Sequence, residues 1–162
     1  MAIQEQVELL KQGAEIWNRW RFANPSVPID LQGAILMIED FFSANLREAD
    51  LRHASLLWTK LEGANLDGAD LSFANLQLAN LFGASMRRTK FNNAQVGHTV
   101  FANVDSSEVT GLETVTHYNP SVISIDTLYK SQGKIPDKFL RDAGIPEEII
   151  GITHSIRNGP PI

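Results

Sequence analysis

Four histidines, a row of aspartates and one Gly-Lys pair are the residues of this chain whose types could do chemistry. Histidine ligates metals and moves protons near neutral pH. Paired carboxylates share acid and base work, and a Gly-rich loop ending in Lys cradles phosphate. Spacing argues against each of these. Gly133-Lys134 has Leu128 where a phosphate loop needs its upstream glycine, and Ile135 where it needs Ser or Thr. No HExxH or GxSxG pattern occurs. Nothing assembles His53, His98, His117 and His154 into a metal set, and they read as surface side chains. Asp50 and Asp70 read as a polar row facing water, with no accompanying base. The sequence therefore assigns no catalytic, cofactor-binding or metal-binding residue, and the expectation is a protein that is not an enzyme.

The elements that would position any site come from a repeat. From Ala44 to Asn93 the chain runs in units of five. The first slot is Ala except at Thr59 and Thr89, and the third is Leu except at Met86 and Phe91. The second slot is mostly Asn, Asp or Ser; the fourth and fifth vary. An α-helix turns about 100° per residue, so a period of five would smear the leucines around it. A flat strand would send successive leucines to opposite faces. An extended piece followed by a corner, turning the same way in every unit, puts all first and third slots on one inner axis. That is a solenoid, with coils about 4.8 Å apart. Each buried leucine then contributes about 1.5–3 kcal/mol.

The pattern A-[DN]-L-x-x resembles the pentapeptide-repeat family across Ala44–Gly83. The resemblance implies a mainly β fold: a right-handed quadrilateral β-helix with four pentapeptides per coil. The register extends upstream to Ile29-Asp30-Leu31, and downstream through Thr99-Val100-Phe101 to two degraded units, Val104–Glu108 and Val109–Glu113. The expectation is about four coils over residues 29–113. Residues 1–28 form an N-terminal capping helix, Ala2 to about Arg21, and a linker. Its apolar residues Ile3, Val7, Leu10, Ala14 and Trp17 share a face, and Pro25 and Pro28 break the chain before the first coil. Residues 114–162 form a helical C-terminal segment. In it, Asp126 caps a helix through Ser131, Pro136 opens a second that Gly144 ends, and Pro146 opens a third through about Arg157.

The stretch from Ile125 to Ile150, "IDTLYKSQGKIPDKFLRDAGIPEEII", resembles a segment of bacterial, especially cyanobacterial, multidomain proteins. There it links pentapeptide repeats to an effector domain, often of the TIR (Toll/interleukin-1 receptor-like) type. The resemblance implies that any catalysis, such as NAD hydrolysis, lies beyond Ile162. "NGPPI" at the end reads as a linker, so the chain is expected to be a piece of a longer effector, or a form lacking it.

With four units per coil, residues twenty apart stack. One side then displays Ile35, Met37, Ile38, Leu57, Trp58 and Leu78 in slots that face out, with Phe42 and Phe82 on the next side. Either the terminal helices fold over this patch, which the sequence favours, or it is a self-association or partner surface anchored by Trp58.

The formal charge of −5 lies wholly between Ile29 and Glu113, as 11 acids against 6 bases. Acidity argues against a nucleic-acid binder. The absence of cysteine suits a reducing cytoplasm, and no apolar run approaches a membrane span. The expected function is a non-catalytic interaction or scaffold module. The alternative, carried by another branch of the same family, is a DNA mimic acting on DNA gyrase. Arg47, Arg52, Arg87, Arg88 and Lys90 interrupt the acidic array that a mimic needs.

Overall fold

Asn or Asp in the second slot makes many of the corners. In a computed structural model describing residues 1–159, the Asp30, Asp50, Asp70, Asn65, Asn75 and Asn80 Oδ1 atoms each accept the backbone N–H two residues on, at 3.0–3.1 Å. This Asx turn bends the chain. The first-slot N–H then closes the corner on the preceding third-slot carbonyl, as in Ala34 to Leu31 and Ala44 to Phe41, both 3.0 Å. The fifth slot takes a left-handed backbone, with φ between +52° and +65° at its non-glycine occupants from Ile38 to Asn103.

Repeating this corner stacks the chain on itself. Parallel bridges run Asp30–Asp50–Asp70–Lys90–Thr110, Ile35–Ser55–Asn75–Gln95, Asp40–Lys60–Asn80–Val100 and Asn45–Asn65–Ser85. Every step is twenty residues, so four five-residue sides make a coil. Each side makes three backbone bonds to the next coil: Leu31 N–H to Asp50 C=O, Gly33 N–H to Arg52 C=O, and Asp50 N–H back to Ile29 C=O, at 2.8, 2.8 and 2.9 Å. The first and third slots fill the shaft, and the third-slot leucines from Leu31 to Leu81 have no accessible surface. Threonine replaces alanine where its hydroxyl finds a carbonyl of the coil below: Thr59 to Leu36, Thr89 to Leu66 and Thr99 to Leu76, at 2.7–2.9 Å.

The wall runs on past the expected boundary at 113. After a 3-10 turn at Leu112–Thr114, β1 (Gln95–Val96) pairs with β3 (Thr116–His117), and β2 (Val100–Phe101) pairs with β4 (Val122–Ile123), both parallel. The offsets are now 21 and 22 residues. One extra residue per corner destroys the five-residue phase while preserving the pairing, so the pattern fades before the wall does. Conversely, Ser85 has no bridge to Asp105, where the degraded unit Val104–Glu108 falls.

The N-terminal cap is two helices where one was expected: α1 (Gln4–Lys11) and α2 (Ala14–Ala23). Gly13 separates them at φ +108°, a backbone open to glycine and strained for other residues. The apolar spacing continues across the break, which is why periodicity alone does not reveal it. The cap supplies hydrogen bonds that a lower coil would have made. Ala2 and Ile3 N–H donate to the Gln32 and Asp30 carbonyls at 2.8 Å, and Gln6 Oε1 accepts from Asp30 N–H at 2.9 Å. Trp17 Nε1 donates to Asn45 C=O at 2.8 Å, and Arg21 to Arg47 C=O at 3.0 Å. Asn18 donates to Ser43 C=O at 2.9 Å and accepts from Asn45 N–H at 2.7 Å.

The far end is closed by α3 (Ile125–Lys130), α4 (Asp137–Asp142) and α5 (Glu147–Asn158). Ser124, not the expected Asp126, occupies the cap position of α3, and Asp126 lies in its first turn. Pro136 and Pro146 directly precede α4 and α5, and Gly144 follows α4 with φ +88°. Leu128, Phe139, Leu140 and Ile150 are buried against the last coil, and Phe139 meets the Phe101 ring edge-on at 5.5 Å. Hydroxyls of α3 and its end complete the edge: Thr127 donates to Phe101 C=O at 3.0 Å, and Ser131 Oγ accepts from Ser106 N–H at 2.9 Å. The expected linker from Asn158 to Ile162 lies, from Pro160 on, outside the described residues.

Two predictions follow from the caps. Asn18→Ala removes both bonds to the first coil; it is expected to cost about 1–3 kcal/mol in urea unfolding and to speed exchange of the Asn45 amide. His117 packs edge-on against Phe139 at 4.7 Å, and neither ring nitrogen has a hydrogen-bond partner among the described residues. Burial holds its imidazole below the ordinary value of 6.5; nearby Asp142 pulls it up more weakly, and Lys138 pushes it down. The unfolded chain therefore takes up this proton first as pH falls, so stability declines below about pH 6.5. His117→Phe is expected to flatten that part of the melting-temperature profile.

Candidate interaction surface

Three columns of outward residues climb the side that begins at Ala34. Slot five reads Ile38, Trp58, Leu78, His98; slot four reads Met37, Leu57, Gln77, Gly97; slot two reads Ile35, Ser55, Asn75, Gln95. Each column starts aliphatic on the first coil and ends without an aliphatic residue on the last. The corner turns these side chains out to solvent: Ile38 is 71% exposed, Trp58 63% and Ile35 64%. Met37 and Leu78 are also exposed, and Leu57 is half-buried.

The terminal helices do not cover this side, contrary to the arrangement the sequence favours. Their hydrogen bonds tie them to the two ends of the shaft, where unpaired backbone and core leucines need closing.

Ile38, Trp58 and Leu78 line a shallow groove of about 410 Å³ that turns the corner onto the next side, where Thr59, Lys60, Glu62 and Asn80 complete it. The sequence reading omits Lys60 and Glu62. Stacking at twenty residues carries the signal for them, because it places slots two and four of one side beside slot five of the side before. Phe42 and Phe82 are exposed in that next side's slot-four column, with Glu62 between them, and they do not line the groove. Lys60 pairs with Asp40 at 3.1 Å.

The candidate chemical residues stay apart. His53 stacks flat on Phe73 at 4.9 Å and 8°. His154 meets Asp137 at 2.7 Å on the C-terminal cap. The aspartate row is engaged in its own turns. The Phe42 N–H and the Lys60 ammonium hold the Asp40 carboxyl below its usual range, and the Arg52 guanidinium does the same for Asp50. Among the described residues no three His, Asp or Glu side chains are placed to hold a metal ion, and no helix is long and apolar enough to cross a membrane. The arrangement offers a firm apolar face with a charged rim.

Residues 43–68 and 59–103 match the family model described as pentapeptide repeats, in eight copies. A search of curated proteins finds no match. Among solved structures, the pentapeptide repeat protein Rfr23 from the cyanobacterium Cyanothece 51142 is similar at 28% identity and a TM-score of 0.57, over 61% of this chain and 67% of that one. HetL, a pentapeptide repeat protein involved in heterocyst differentiation regulation in the cyanobacterium Nostoc sp. strain PCC 7120, aligns at 25% identity and 0.42. That match covers 57% of this chain and only 48% of HetL. A pentapeptide repeat protein of the Arabidopsis thaliana thylakoid lumen aligns at 25% and 0.36, over 67% and 73%. The family model and the likeness to Rfr23 both imply the right-handed β-helix, and the stretch from Ser43 to Asn103 matches the pentapeptide-repeat family.

Proposed function

We propose that this chain is a non-catalytic protein-interaction module whose working surface is the apolar side formed by Ile35, Met37, Ile38, Leu57, Trp58 and Leu78, with Phe42 and Phe82 beside it. The observation that carries this reading is the exposure of large apolar side chains in the outward slots of one side: Ile38 is 71%, Ile35 64% and Trp58 63% exposed. Ile38, Trp58 and Leu78 hold φ of +65°, +58° and +61°. Elsewhere the slot holds Gly33, Gly63, Gly68 and Gly83 or unbranched and polar residues such as Glu48, His53 and Arg88 with the same backbone, so Ile38 is distinguished by its β-branch. A left-handed backbone costs an L-residue about 1–2 kcal/mol, and it is an outlier for a β-branched one. No burial within the chain offsets this at Ile38 or Trp58. Burial against a partner does.

In the finer reading, the module assembles or regulates a bacterial effector of TIR type in the cytoplasm, with catalysis beyond Ile162. The support is the resemblance of the Ile125–Ile150 stretch. The alternative reading, a mimic of duplex DNA acting on gyrase, needs an unbroken acidic array. Here Asp50 pairs with Arg52 at 2.6 Å, Asp40 with Lys60 at 3.1 Å and Asp70 with Lys90 at 3.5 Å, which weakens the field.

Two variants test the surface. Trp58→Glu is expected to leave the melting midpoint essentially unchanged, since the ring is exposed, and to lower the associated mass in light scattering; an unchanged mass removes the reading. Ile38→Asn relieves the left-handed strain, so it is expected to raise the midpoint by about 2–4 °C while weakening association.

A further inference from the structure

The first coil has an open edge on two of its four sides. Sides one and four are closed by the Met1–Arg21 arm, through the bonds of Ala2, Ile3, Gln6, Trp17, Asn18 and Arg21. Along residues 34–42 the arm makes no hydrogen bond to the backbone among the described residues; it touches this stretch through the Lys11–Glu39 ion pair at 3.5 Å. Among the described residues the N–H and C=O of Ile35 and of Asp40, and the carbonyls of Met37 and Phe42, have no partner. The register shows where they point. Ser55, one level up, sends both its N–H and its C=O down to Ala34 and Leu36, at 2.9 Å each. Ile35 therefore aims both of its groups at a coil that does not exist.

The apolar columns point to the same edge. Each is aliphatic on the first coil and loses that character toward the last. Ile35 is exposed, whereas Ser55, Asn75 and Gln95 above it are half-buried. An unpaired strand edge rimmed with apolar side chains is a template for another strand.

We propose that the occupant is a second copy of this chain, paired across a two-fold axis that places Ile35 opposite its own counterpart in an antiparallel, hydrogen-bonded pair. This rests on the reading of the apolar side as an association surface. Three observations select this occupant. First, in such a pair two facing residues exchange both N–H···O=C bonds, and Ile35 has both groups free and aimed the same way, so the edge is its own complement. Second, the other end of the solenoid is covered by α3, α4 and α5, so head-to-tail stacking is blocked and the assembly closes at two. Third, the neighbouring open side is a poorer axis: Asp40 would face Asp40, and like charges directly opposite repel. Isoleucine facing isoleucine adds a favourable pair, with Met37, Ile38 and Trp58 flanking it.

The experiment is light scattering across the micromolar range on the full chain, combined with amide exchange. The wild type is expected at twice 18.0 kDa, with Ile35 amide exchange slowed about tenfold or more as concentration rises. Ile35→Pro removes a donor unused within the chain, and Ile35→Glu sets two charges across the axis. Both are expected at the monomer mass with unchanged melting, while Ile35→Val keeps the dimer. If one variant misfolds, the other and the wild-type exchange data decide. A dimer that survives both Ile35 variants, or protection elsewhere than residues 34–38, overturns the edge pairing; if that dimer is still lost in Trp58→Glu, the broader surface reading stands. A wild type that stays monomeric throughout overturns this pairing, and the broader reading then requires a different partner.

Discussion

Everything in this molecule depends on one hydrogen bond repeated along the chain, a first-slot N–H closing on the preceding third-slot carbonyl, joined at many corners by a second-slot Asn or Asp that accepts the N–H two residues ahead. It fixes the corner, and the corner fixes what faces inward. Because the bend recurs every five residues in the same sense, alanine and leucine always meet the shaft, and the backbone always meets its copy twenty residues on. An aspartate in this position looks like a candidate acid or base. Its lone pair is occupied by its own backbone, and at Asp40 and Asp50 hydrogen bonding to backbone and side-chain donors holds the carboxyl in its charged form.

A solenoid built from such corners has no natural end. Each terminal coil exposes a ring of backbone groups and the last layer of leucines. The two ends solve this with different elements and the same chemistry. At the start, Trp17, Asn18, Arg21 and Gln6 present side-chain donors and acceptors where a coil would have presented amides. At the finish, two further strands extend the wall, and Thr127 and Ser131 do what Asn18 does below. Both caps also lay large apolar residues over the shaft: Trp17 and Leu10 at one end, Phe139 and Leu140 at the other. The first cap is incomplete, since it closes two sides of the square and makes no hydrogen bond to the backbone of residues 34–42, where the apolar residues stand.

The apolar side is thus more than a run of exposed side chains. Ile38 and Trp58 occupy corner positions where glycine or asparagine would relax the backbone. Their columns lead to the stretch of wall whose amides and carbonyls lack partners. Exposure and unmet hydrogen bonding coincide on one edge, and a single association relieves both. The charged rim of Lys60, Glu62 and Asp40 surrounds that edge without breaking it.

The repeat itself was legible from residue types alone, because a period of five excludes both the helix and the flat strand, and A-[DN]-L names the buried, turning and buried positions in order. The twenty-residue stacking, and with it the grouping of Ile38, Trp58 and Leu78, came from the resemblance to the pentapeptide-repeat family and not from the spacing alone. Three things required the folded chain. The break at Gly13 lay hidden because apolar spacing continues through it. The wall beyond residue 113 lay hidden because single insertions at corners shift the phase without breaking the pairing. The uncovered side and the open edge at Ile35 depend on where the terminal helices dock, and that is decided by hydrogen bonds between residues some 25 positions apart, which no local pattern encodes.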